Sequence, residues 1–154
     1  MHLKEKSTAG FTVIEALITV AAAAIMILVL LTAIISARAR ARDARRLADV
    51  RSFASALKLF YKDNNFYPQG TRTILDGTQG LDTTGWNGKP VPPIYMQKTA
   101  KSPLPADGNC AASQNAYIYS SLSDETDYSI TFCLGQTTDG FGPGTHTVKP
   151  GGVR

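Results

Sequence analysis

The chain has 154 residues, 44% of them hydrophobic, with two cysteines and a formal charge of +4. That length leaves room for one small domain besides a membrane segment and excludes a large multidomain enzyme. Much of the positive charge comes from one block, RARARDARRLADVR at 38–51; elsewhere charges are sparse and mixed.

Near the N-terminus, KSTAGFTVIEALITV (6–20) places Glu15 five residues after Gly10 and at the head of an apolar run. From Ala16 to Ala37 there are 22 residues without a charge. As a helix they extend roughly 33 Å, close to the hydrocarbon thickness of a bilayer. A carboxylate carried into such a core costs roughly 2.5–3.5 kcal/mol, so Glu15 needs a partner. An ordinary signal peptide has an apolar region of only about 7–15 residues before a small-residue cleavage site. SARA at 36–39 could pass for such a site, but the run before it is too long and carries an acid at its head.

Neither glycine nor proline occurs between Phe11 and Tyr67, so one helix is expected from Phe11 to about Asp63, roughly 80 Å long. In its second half Leu47, Val50, Ala54, Leu57 and Tyr61 recur at spacings of three and four, with Phe53 and Phe60 widening the stripe. That half is amphipathic and packs on something. KDNNFYP ends the helix: Asn64 and Asn65 tolerate the left-handed conformation, and Pro68 biases Tyr67 toward extended backbone. The six arginines at 38–51 form either a solvated helix face or a surface for DNA phosphates or anionic lipid headgroups.

From about Phe66 glycine, proline, serine and threonine become frequent, and residues 69–109 read mostly as loop with short pieces. NAYIYSSL and DYSITFCL are the strongest strand candidates, joined by a polar SDETD turn into a hairpin that covers the helical stripe. A third short strand is expected near THTV at 145–148. The fold class is therefore α+β, a long N-terminal helix packed on a small antiparallel sheet. Cys110 and Cys133 fit no zinc or redox spacing; they are either buried thiols or, in a domain outside the cytoplasm, a disulfide. His2 and His146 have no partner constellation, and Asp124, Glu125 and Asp127 read as a solvated turn. TTDGFGPG at 137–144 lacks the lysine and hydroxyl pattern of a phosphate loop. No catalytic site or cofactor is expected.

AGFTVIEALITV resembles the processing site of type IV prepilins and of type II secretion pseudopilins: a short charged leader, Gly10, Phe11, an acid as the fifth mature residue, then an apolar helix. RRLADVRSFASALKLFYKDNNFYPQG at 45–70 is similar to the solvent-side helix and YP exit of the major pseudopilin and its relatives. The resemblance covers nearly the first half of the chain. It implies a leader (1–10), a membrane and filament-core helix (11–37), its amphipathic continuation (38–65) and a β-rich domain (66–154). It further implies cleavage after Gly10 by a prepilin peptidase, N-methylation of Phe11, and pairing of Glu15 with a Phe11 amine. The implied partners are further copies of the chain in a helical filament, the peptidase, an inner-membrane platform protein and an assembly ATPase.

The chain departs from the family at Thr32, where many members carry proline, and in TTDGFGPG, which offers only Asp139 to a calcium ion; no metal site is carried over. The positive-inside rule alone, with six arginines after the apolar run against Lys4 and Lys6, would put the C-terminal part in the cytoplasm. The leader and the cysteines put it outside, on a single-pass anchor in the cytoplasmic membrane. Two other readings use the same features: a permanently anchored binding module that keeps residues 1–10, and a minor pilin that binds DNA through its basic residues.

Overall fold

The computed structural model describes residues 10–122 and 124–154; residues 1–9, the greater part of the expected leader, with His2, Lys4 and Lys6, lie outside the described residues. Two compact units divide the chain, Met1–Ala37 and Arg38–Arg154. One helix, α1 (Val13–Asn64), contributes to both. It starts two residues later than expected and ends as expected, with Asn65 in the left-handed region at φ 63° and its N–H donating to the Tyr61 carbonyl at 2.8 Å.

Beyond the helix the strands are β1 (Thr73–Leu75), β2 (Gly80–Asp82), β3 (Gly85–Asn87), β4 (Ile94–Met96), β5 (Tyr117–Ser121), β6 (Tyr128–Leu134), β7 (Gly144–Lys149) and β8 (Gly152–Val153). They form a five-stranded sheet of order β1-β5-β6-β7-β8 and a three-stranded sheet of order β3-β2-β4, antiparallel throughout. The α+β architecture is that read from the sequence. The expected hairpin is β5–β6, with Ile118 opposite Thr131 and Ser121 opposite Tyr128, and the third strand is β7.

The short pieces expected within the loop over 69–109 are β1 and the whole second sheet. Those strands are three residues long, too short to show alternation, and a buried acid organises the second sheet. Asp82 accepts from the N–H and hydroxyl of Thr84, the side-chain amide of Asn87 and the Val91 N–H, at 2.6–2.8 Å.

Within the unit Arg38–Arg154, α1 supplies Leu47, Val50, Phe53, Leu57 and Phe60 to the core. Opposite them lie Tyr117 and Tyr119 of β5 and Ile130, Phe132 and Leu134 of β6, with Phe53 edge-on to Tyr117 at 5.2 Å. The expected stripe holds at Leu47, Val50, Phe53, Leu57 and Phe60 and differs at its flanks. Tyr61 is exposed and Ala54 half-buried, while Ala39, Asp43 and Arg46 are buried in line with Val50, Phe53, Leu57 and Phe60. Alternate spacings of four and three set these seven positions along one face.

Candidate functional site

Two places in the chain carry the chemistry singled out in the sequence: the head of the apolar helix, and the charged block that follows it.

At the head, Gly10 and Phe11 are exposed and non-helical. Thr12 precedes the first helical residue, and Glu15 occupies the third helical position. The Glu15 N–H donates to the Thr12 hydroxyl at 3.3 Å, and the Glu15 carboxylate accepts from the Thr12 N–H and hydroxyl at 3.4 Å. This is a long, loose form of the reciprocal capping box, in which an acid three residues after a Thr satisfies orphan donors at the helix start. The T-x-x-E spacing of Thr12 and Glu15 is the sequence signal for it. Glu15 therefore has a local partner within the chain, and its carboxylate remains exposed to any further one.

Among the described residues in the rest of this unit, no large apolar side chain finds cover. Ile14, Leu17, Ile18, Val20, Ile25, Met26, Leu28 and Leu31 all stand half or more exposed, distributed around the whole circumference. The helix is long and apolar enough to cross a membrane.

The charged block does not form a simple solvated face. Arg46 is 1% exposed and reaches five acceptors within 3 Å: the carboxylates of Asp43 (2.6 Å) and Asp107 (2.9 Å), the carbonyls of Pro103 and Pro105 (2.8 and 2.9 Å), and the Asn115 amide oxygen (2.9 Å). Only Arg offers enough N–H groups in one plane for such a set. Asp43, fully buried, accepts in addition from the N–H groups of Gly135 and Gln136 at 2.9–3.1 Å, beyond the end of β6.

Asp107 also accepts from Arg42 at 2.8 Å. The Arg42 hydrogen bond, seconded by that of Arg46, holds the Asp107 carboxyl below the usual carboxylate range against the opposing effect of burial. The approach is close enough to require glycine: a side chain at Gly135 would meet Asp107 backbone at 2.4 Å, and one at Gly108 (φ +55°) would meet the Gly135 carbonyl at 2.0 Å. Arg51 forms an exposed ion pair with Asp139 of the glycine-rich loop. Arg38, Arg40 and Arg45 remain exposed, and no ion pair engages them among the described residues.

Cys110 and Cys133 form a disulfide with their Cα atoms 6.0 Å apart. It joins the loop before β5 to the second strand of the hairpin and lies next to the Arg46 network, since Asp107 and Gly135 flank its two ends in sequence. His146 is half-buried, its Nε2 2.7 Å from the Gly142 carbonyl, with the Phe132 and Phe141 rings beside it. Asp124, Glu125 and Asp127 lie in the β5–β6 turn. Among the described residues no three His, Cys, Asp or Glu side chains converge as metal ligands.

Comparison of the chain with protein-family models, with curated proteins and with solved structures finds no match.

Proposed function

We propose that the chain is a membrane-anchored filament subunit of the type IV pilin and pseudopilin kind, with a structural role and no catalysis of its own. The observation that carries this reading is the uncovered apolar helix of the first unit, headed by an exposed acid. Burying such a helix requires lipid or other helices, and a subunit that exchanges one for the other has a store and an assembled state. The peptidase, the platform protein and the assembly ATPase are partners in this reading, and the membrane is the store. The disulfide supports a domain outside the cytoplasm.

Cleavage after Gly10 would expose the Phe11 amine one helical turn from Glu15. Within one subunit that amine competes with the Thr12 cap; across a subunit contact it neutralises the carboxylate left exposed. Glu15→Gln separates the two roles, because glutamine serves a capping box as glutamate does but carries no charge. The expected result in cells that make the peptidase is a processed subunit starting at Phe11, retained in the membrane, with sheared filaments lost. N-terminal sequencing and a filament-shearing assay read the two steps. Normal filaments from Glu15→Gln would overturn the charge-pairing role, and an intact Met1 on the wild-type chain would overturn the filament reading.

A further inference from the structure

Charges at the Arg46 end of the second unit are segregated by depth. The acids turn inward: Asp43 and Asp107 are buried on Arg46 and Arg42, and Asp49 is half-buried, accepting from the Tyr117 hydroxyl at 2.8 Å. The cations Arg38, Arg40, Arg45 and Lys101 stay outside, with Asp76, near Lys101, the exposed acid among them. Between the cations stands an apolar tip. Leu104 is 71% exposed and lines one shallow depression with Arg45 and Lys101 and a second with Ile74, itself 54% exposed.

The exposure of Leu104 is built in. Arg46 holds the carbonyls on either side of it, at Pro103 and Pro105, so the backbone is turned inward and the side chain is left outside. Arg42 and Arg46, which fix this loop, lie four and eight residues past Arg38, roughly 6 and 12 Å of helical rise. The uncharged run ends at Ala37, immediately before Arg38. A headgroup layer is about 5–7 Å thick, and Arg and Lys side chains snorkel across such distances.

We propose that this end of the unit Arg38–Arg154 is a membrane-docking surface: Leu104 enters the interfacial layer while Arg38, Arg40, Arg45 and Lys101 meet anionic headgroups. The proposal rests on the membrane-anchored reading and adds to it a second, reversible contact that holds the folded unit on the bilayer. Each basic residue close to an anionic surface is worth roughly fivefold in partition, so docking depends on lipid charge and salt. A docked unit is withheld from neighbouring copies, which makes its release a step before assembly.

The test uses the full chain reconstituted in phosphatidylcholine vesicles with or without phosphatidylglycerol, carrying an environment-sensitive dye on Leu104→Cys. A matching dye on Asp63→Cys, at the other end of α1, is the reference. Headgroup-nitroxide lipids should quench the Leu104 dye, and not the Asp63 dye, in the anionic vesicles. Arg45→Gln combined with Lys101→Gln should lower the ratio of docked to undocked units by roughly 25-fold. Resistance of the chain to carbonate extraction is scored in the same samples. A chain released by carbonate overturns the anchored reading and the docking with it. A retained chain with equal quenching at both positions overturns the docking alone. Dye shifts that appear only at high protein-to-lipid ratio would assign the surface to a second copy, and protection of the Leu104 dye by added DNA alone would assign it to nucleic acid; either overturns the lipid assignment.

Discussion

Arg46 is the residue on which the second unit depends most locally. Its guanidinium replaces water for two carboxylates, two carbonyls and an amide. Arg46→Met keeps the bulk and removes every one of these donors. Asp43 then retains only the Gly135 and Gln136 N–H groups and Asp107 only Arg42, so buried negative charge is left short of partners. Stranding one side of a buried pair costs about 3–5 kcal/mol. Thermal unfolding of the detergent-solubilised chain should show a fall of more than about 10 °C, and Arg46→Lys should recover little, because one ammonium cannot reach five acceptors. A change of only a degree or two would mean that water fills the site. Arg45→Met, one position away and exposed, should be nearly silent in the same assay.

The elements differ in how far the sequence revealed them. α1 was legible almost to the residue, since a long stretch without glycine or proline has few alternatives and Asn65 marks its end. The β5–β6 hairpin was legible because Tyr128, Ile130, Phe132 and Leu134 alternate with smaller polar residues over seven positions. The second sheet was not: its order comes from Asp82 hydrogen bonds to residues two, five and nine positions on, a pattern no periodicity displays. The charged residues of α1 misled for a related reason. Asp43 and Arg46 lie on the same line as Val50, Phe53, Leu57 and Phe60, and that spacing was the available signal, but charge was read as exposure. Cys110 and Cys133 were legible as a pair through the strand that holds the second of them and through the expected place of the domain outside the cytoplasm. With the bridged positions 23 apart in sequence, the disulfide restrains the loop before β5, and its removal should cost about 2–5 kcal/mol. Paired Cys110→Ser and Cys133→Ser in the purified chain should lower the Tm, and faster proteolysis should begin in residues 101–115. Equal protease resistance with and without the bridge would show that Arg46 alone holds that loop.

For the whole molecule, the buried carboxylates set an acid limit on stability. Asp107 is held below the ordinary carboxylate range by its Arg42 and Arg46 hydrogen bonds, and Asp82 by those from Thr84 and Asn87. With the folded-state values depressed, the unfolded chain takes up protons first as pH falls through about 4. The stabilisation is therefore complete above that pH and lost progressively below it. At the alkaline end the signs reverse: burial pushes Tyr117, Tyr119 and Tyr128 upward, so the unfolded chain loses those protons first and stability declines above about pH 10. A Tm profile of the solubilised chain from acid to alkaline pH tests this, and Asp107→Asn assigns the acid limb. That variant should begin less stable at neutral pH and fall less steeply below pH 4, with Asp82 supplying the slope that remains. If the wild-type Tm stayed level from neutral pH down to pH 3, neither carboxylate would be linked to folding, and the Arg42–Asp107–Arg46 cluster would have to be solvated in the folded state.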